Sequence, residues 1–298
     1  MPAMDPRAIG VFDSGVGGLT VLHECLVTMP NEDFVYLGDH ARLPYGPRPL
    51  AEIRRFAREI GAYLSRQDVK LILVACNAAT SAALPQLQEE LAVPVVGVIT
   101  PEAHAAVQTT RNRKVGLLAT AATVEAGRYA ELVHALDAGI EFRQIACPQL
   151  VPLIEGDDPY GEATEQAVRG YAAPLQAAGV DTVILGCTHY PLIRKICERV
   201  FGRDVRLVFS AEETAREVAE TLARKGVENA RDRVGTYRFL TTGDPEAFRE
   251  LGNRFLQLPV REVEHVTVAT LEEAATGVGS TEPARSAAAG FAGSGAGR

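Results

Sequence analysis

Short β-branched runs alternate with helical patterns along this chain, and that alternation limits it to folds built on parallel sheets. The runs are Ala8 to Phe12, Asp33 to Leu37, Lys70 to Ala75, Val95 to Ile99, Lys114 to Ala119, Glu141 to Ala146, Asp181 to Leu185 and Val205 to Val208. Between them, Ala51 to Leu64 and Ala163 to Leu175 space apolar residues among charges, as amphipathic helices do. Ser210 with Glu213 opens a further helix as a capping box. The fold class expected is α/β.

Two stretches echo each other. Val69 to Cys76 and Val180 to Cys187 each place a Cys seven residues after a Val and then turn polar, and Ile9 to Ser14 resembles Val115 to Thr120. The two offsets, 111 and 106 residues, nearly agree, which predicts two similar parallel-sheet α/β domains facing each other across one cleft. Chance likeness of buried strands is the alternative. The first domain is expected over 1–98 plus 210–270 and the second over 99–209, with crossings near Gly97 to Pro101 and at Phe209-Ser210. From Gly277 to Arg298 the chain is mostly Gly, Ala and Ser, too poor in large apolar residues to offset the entropy of ordering, so 277–298 is expected to be a disordered tail.

At 298 residues and 47% hydrophobic, the chain can bury a sizeable core. Its net charge of −8 argues against a general nucleic-acid binder, which needs a basic face. Apolar runs such as Leu71 to Cys76 fall far short of the ~18 residues of a membrane helix. No apolar signal-like segment follows Met1, so the expected location is the cytoplasm. Five cysteines without a C-x-x-C pair fit neither a disulfide framework nor a structural zinc site, which directs attention to single thiols.

Cys76 and Cys187 each end a buried strand, where an α/β unit places its ligand site and where the next helix begins. Helix N-H groups there favour thiolate and attract a substrate carboxylate. Cys25 and Cys197 lie in helical patterns and Cys147 precedes Pro148, so these three are expected to be structural. The loop Asp13 to Gly18 has Thr20 where a dinucleotide fingerprint needs glycine, yet its backbone can still approach a small anion. The densest cluster is Gly186 to Pro191, with a thiol, a hydroxyl and an imidazole in three consecutive residues. No further ligands at metal-site spacing accompany it, so no metal is expected. A thiol protease would leave Cys76 and the Asp13 loop without roles. A thiol-redox protein, whose two cysteines pair, and a module that binds a solute without chemistry both remain open.

Asp13 to Thr20, Gly38-Asp39 with Pro44-Tyr45-Gly46, Ala75-Cys76-Asn77 and Gly186 to Pro191 occur in the order and spacing of the glutamate racemases, which the chain resembles from about Ile9 to Leu258. Ser210 to Thr214 and Thr242 to Pro245 belong to the same resemblance. It implies a cofactor-independent isomerase that supplies D-glutamate for peptidoglycan, with one thiolate on each face of the substrate Cα. Carried over residue by residue, Cys76 would take the proton from D-glutamate and Cys187 from L-glutamate, with Asp13 assisting Cys76 and His189 assisting Cys187. Glu155 resembles a further acid on the Cys187 side. Ser14, Tyr45, Gly46, Asn77, Ala78 and Thr188, with Asp13 and His189, would surround the substrate, largely through hydroxyls and backbone N-H groups.

Chemistry agrees on the need for two thiols, because inversion through a planar carbanion takes a base on one face and an acid on the other. Ala78 stands where the family usually has Thr, with Thr80 or an ordered water as the substitute, and His40 stands where Thr is more usual. Aspartate or another amino acid is the alternative substrate within the same two-cysteine superfamily. Four lysines, none beside the site, and no nucleotide loop point to no cofactor. The partner expected is small-molecule glutamate, with no nucleic acid and no membrane; a homodimer is the one protein assembly considered.

Overall fold

Strands whose two faces are both covered read as nearly continuous apolar runs, and the strands here divide their residues between two packed layers. The computed structural model describes residues 4–230 and 232–276. The expectation for 277–298 lies outside the described residues. Ten strands form among the described residues: β1 Ile9–Asp13, β2 Phe34–Gly38, β3 Leu71–Val74, β4 Val95–Gly97, β5 Lys114–Ala119, β6 Glu141–Ala146, β7 Thr182–Gly186, β8 Arg206–Phe209, β9 Tyr237–Thr241 and β10 Val263–His265.

They make two parallel sheets, one in the order β10-β9-β2-β1-β3-β4 and one in the order β6-β5-β7-β8. The order β2-β1-β3-β4 repeats as β6-β5-β7-β8, so the strands that echo in sequence occupy equivalent places: β1 with β5, and β3 with β7. In each sheet the chain leaves these two neighbours in opposite directions, which opens a crevice at their carboxyl ends. Asp13 ends β1 and Ser14 follows it, Cys76 follows β3, Thr120 follows β5 and Cys187 follows β7.

Within β1, Ile9 and Val11 join one buried cluster while Phe12 joins another; in β3, Leu71 and Leu73 part from Ile72 and Val74 in the same way. This is the two-residue alternation of a strand. The cluster holding Ile9 and Leu71 continues through β5 and β7 of the second sheet. The helices Leu19–Thr28 and Ser210–Lys225 pack together, so the returning chain locks onto the first sheet.

The eight strands expected from sequence all form, with small changes at their ends. The fourth stops at Gly97, because Val98 already caps the helix Ile99–Thr109. Two strands went unread. β9 starts with exposed Tyr237 and Arg238 and has a short apolar stretch, and β10 is a three-residue edge strand whose Glu264 pairs with Arg238. The capping box is also corrected. The helix does start at Ser210, but its cap is Phe209 with no side-chain hydrogen bond, and Ser210 lies beside Glu102 in the interior. Glu213 pairs instead with Arg216.

One buried ion pair ties the chain's return to the first sheet. Lys70 Nζ lies 2.5 Å from Glu32 and donates at 2.9 Å to the carbonyls of Asp5 and Val227, while Glu32 Oε1 accepts from the Asn229 N-H at 2.7 Å. Removing one partner leaves a buried charge alone. Lys70→Met is expected to cost about 3–5 kcal/mol, and adding Glu32→Leu to recover most of it. Urea denaturation of both variants checks this; an unchanged midpoint in the single variant would be the contrary result.

Candidate active site

The first wall is built on β1 and β3. Asp13 is fully buried, and its Oδ2 accepts from the Gly15 N-H at 3.0 Å. The Gly15 carbonyl in turn accepts from the Tyr36 hydroxyl at 2.8 Å, which fixes the loop. Cys76 caps the helix Asn77–Glu90 and lines a cavity of about 160 Å³. Burial pushes its thiol well above the ordinary range and Asp13 pushes the same way; the Ala79 amide and the Ser14 amide and hydroxyl act against this without reversing it. The expectation that helix amides favour thiolate here is therefore corrected for the free protein: desolvation outweighs them.

The second wall follows β7, where Cys187, Thr188 and His189 lead into a 3₁₀ turn, Tyr190–Ile193, with Pro191 in its first turn. The α-helix begins only at Arg194. Cys187 thus does not sit at a helix start, contrary to the sequence expectation; an imidazole is what supports it. His189 Nδ1 lies 3.7 Å from Cys187 Sγ, and its Nε2 lies 2.8 Å from Glu155 Oε1. Burial alone would lower the His189 pKa, but its bonds to Cys187 and Glu155, with their charges, raise it to about 10. Burial likewise works to raise Glu155, and His189, His40 and Arg254 together hold it below the usual carboxylate range. Glu155 and His189 thus form an ion pair at neutral pH with its positive end against Cys187.

The two walls meet closely. Thr188 Oγ1 donates to Asp13 Oδ1 at 3.4 Å, and Thr20 Oγ1 donates to the Thr188 carbonyl at 2.8 Å. A Cβ on Gly17 would collide with the His189 ring and the Thr188 hydroxyl, so the glycine-rich loop serves close packing.

Of the residues singled out from sequence, Ser14, Tyr45, Gly46, Cys76, Asn77, Ala78, Cys187, Thr188 and His189 line the cavity. Asp13 and Glu155 do not line it; Asp13 accepts from Thr188 and Glu155 pairs with His189, both of which do. The Tyr45 hydroxyl donates to Asp39, itself paired with Arg42 at 2.6 Å, so it is not free for a ligand. Thr80 cannot stand in for the hydroxyl missing at Ala78, because its Oγ1 donates to the Val74 carbonyl at 3.0 Å and it lies off the cavity. His40 sits in the turn His40–Arg42, on the Glu155 side of the site.

Sequence reasoning missed Thr120 on the cavity wall, although the echo of Ser14 in Thr120 was the signal that points to it. Cys147 also lines the cavity, yet burial raises its thiol to about 12. Cys25 and Cys197 are buried in helices, each raised to about 12 by burial, as suits the packing role expected of them.

A thiol whose folded pKa is raised keeps its proton past the ordinary value of ~8.5. Without substrate, Cys76 should therefore react with iodoacetamide at least about tenfold more slowly at pH 7.5 than a model thiol, and speed up as pH climbs through and beyond 9. Mass spectrometry of the Cys76 peptide reads the rate. Model-like alkylation at pH 7.5 would contradict the burial argument.

The Asp/Glu/hydantoin racemase family model matches residues 19–218. A glutamate racemase from Corynebacterium diphtheriae is 46% identical over 261 residues, 88% of this chain and 98% of that one. The crystal structure of a glutamate racemase isoform from Bacillus anthracis superposes with a TM-score of 0.85 at 38% identity, covering 88% of this chain and 98% of the other. That of the Francisella tularensis glutamate racemase in complex with D-glutamate gives 0.83 at 34% identity, covering 91% and 100%. With two parallel sheets, a cysteine at the end of an equivalent strand in each, and likeness over nearly nine-tenths of its length, the chain belongs to the Asp/Glu/hydantoin racemase family and groups there with the glutamate racemases.

Proposed function

We propose that this chain interconverts L- and D-glutamate by proton transfer at Cα between Cys76 and Cys187, without a cofactor, and that it supplies D-glutamate for peptidoglycan in the cytoplasm. The observation that carries the reading is that both thiols line one cavity, each following an equivalent strand of its own sheet. Residues 1–98 with 210–270, and residues 99–209, are the two domains of this reading, each contributing one thiol. No helix among the described residues is long and apolar enough to cross a membrane.

The two thiols become thiolates by different means. At Cys187 the protein supplies the positive charge, through His189 held by Glu155. At Cys76, where burial and the nearby Asp13 carboxylate both hold the proton on sulfur, Asp13 is the group that takes that proton once D-glutamate is bound, and the substrate ammonium stabilises the thiolate that results. One thiolate takes the Cα proton, the opposite thiol returns one to the other face, and reversal exchanges the roles. The Thr120 hydroxyl, to which Thr123 can donate at 3.0 Å, and backbone N-H groups meet the charge that grows on the α-carboxylate. Ala78 removes a hydroxyl and widens the wall, which gives no reason to prefer the shorter aspartate.

In D₂O the wild type should put deuterium at Cα of L-glutamate while forming D-glutamate, and Cys76→Ser or Cys187→Ser should lose at least about 10³-fold in turnover, a hydroxyl being too weak a base. Full activity in either single variant would end the two-thiol mechanism. Because Asp13 faces Cys76 and His189 faces Cys187, Asp13→Asn should slow kcat chiefly from D-glutamate and His189→Asn chiefly from L-glutamate. The Haldane relation makes kcat/KM fall equally in both directions, so the asymmetry appears in kcat and is balanced in KM. The split should be cleaner for His189, since Asp13 also touches Thr188. Equal slowing in both directions by both variants would remove the side-specific roles.

A further inference from the structure

The Glu155–His189 pair is held partly from the other sheet. Glu155 ends the helix Leu150–Glu155, which follows β6 of the four-stranded sheet, and six residues are too few for a helix to keep its shape alone. With 21% of its side chain exposed and the exposed residues Gly156 to Asp158 following it, Glu155 has little packing of its own. Facing this helix end is the helix Pro245–Leu256, which follows β9 of the six-stranded sheet. Arg254, in its last turn, donates through Nη2 to the carbonyls of Glu155 at 3.0 Å and Ile154 at 3.3 Å, and through Nη1 to that of Gly156 at 3.2 Å. The next residue, Phe255, meets the His189 ring edge to face, with centroids 5.2 Å apart.

The carbonyls at a helix end lack partners within the helix and carry partial negative charge, so a forked guanidinium suits three of them better than an ammonium does. Arg254 grips backbone here. Its bonds fix where the Glu155 side chain starts, from which Oε1 reaches His189 Nε2 at 2.8 Å. The titratable and charged groups around the pair are Cys187 after β7, His40 in the turn His40–Arg42, and Arg254 itself.

We propose that Arg254 is a positioning residue that acts from one sheet on the other: by gripping the end of the helix Leu150–Glu155 it keeps Glu155 on His189, and so keeps a cation beside Cys187. The part His189 plays in proton transfer rests on the racemase reading, whereas the grip does not. Its effect on pH dependence has a definite sign. Glu155 raises the His189 pKa, so a loosened Glu155 lets it fall below about 10 and the imidazolium is lost at lower pH. Loss of the Arg254 charge alone acts the other way, because a nearby cation disfavours a second one.

Two measurements test the grip in Arg254→Met, in Arg254→Lys, which keeps the charge but not the fork, and in Glu155→Gln. The first is an NMR titration of the His189 ring without substrate, its signal identified by its loss in His189→Asn. The midpoint should fall by about one pH unit or more in Arg254→Met and in Glu155→Gln, and by less, in the same direction, in Arg254→Lys. The second is kcat against pH in both directions. From L-glutamate, Arg254→Met should lose less than about twofold at pH 7 and about fivefold at pH 10, while from D-glutamate it stays within about twofold throughout and KM carries the balance. Added to Glu155→Gln, Arg254→Met should change kcat by less than about twofold, since no carboxylate is left to place. A midpoint that stays or rises in Arg254→Met, a loss equal at every pH, or an undiminished effect in the Glu155→Gln background would overturn the grip. Should Arg254→Met not fold, an unmoved midpoint in Arg254→Lys does so. A midpoint that moves as stated in a protein that puts no deuterium at Cα keeps the grip and removes the racemase; racemisation with a midpoint indifferent to Arg254 keeps the racemase and removes the grip.

Discussion

Everything at the site depends on how closely the loop after β1 approaches the loop after β7. No side chain fits at Gly17 between that loop and the Thr188 and His189 side chains, and the contact is tied by Thr20 on the Thr188 carbonyl and by Thr188 on Asp13. Each sheet alone offers one cysteine at one strand end. Only the close approach gives both thiols a common cavity, and the two-thiol exchange proposed above would need its proton carriers placed to within about half an ångström.

The near-symmetry of the strands does not extend to the electrostatics. Beside Cys76, burial holds the thiol protonated and the Asp13 carboxylate pushes the same way, whereas beside Cys187 stands an imidazole paired with Glu155. In both, the deciding quantity is the cost of charge in a dry site, offset on one side by a built-in cation and on the other only when a ligand brings one. Under the proposed mechanism such an arrangement would keep Cys76 protonated until the cavity is occupied, which would protect a buried thiol from adventitious chemistry.

The sheets and the cysteines were legible because buried parallel strands demand near-continuous apolar runs, and because chemistry follows their carboxyl ends. β9 and β10 were not, since β10 is a three-residue edge strand and β9, between it and β2, opens with exposed Tyr237 and Arg238, so neither shows a long apolar run. Side-chain direction was also hidden. Tyr45 and Thr80 sit near the expected places in the chain, yet Asp39 takes the first hydroxyl and the Val74 carbonyl the second, choices that depend on residues brought together only by folding. Arg254 gave no motif, because a side chain that grips the end of a distant helix has no characteristic spacing.

Among the described residues, no Lys or Arg lines the cavity, although the proposed ligand carries two carboxylates. What faces it instead is a set of polar groups fixed from behind: His189 by Glu155, Asn77 by Glu102 and Tyr129, and the Tyr45 loop by Asp39 and Arg42. A cationic side chain clamped on the α-carboxylate would spend much of its attraction on the ground state, which already carries one negative charge there. Dipoles held rigid by buried partners need no reorganisation as charge moves from the Cα-H bond into the carboxylate, so they favour the intermediate over either substrate. For a reaction whose two ends are mirror images, that is the form of stabilisation that serves both directions at once.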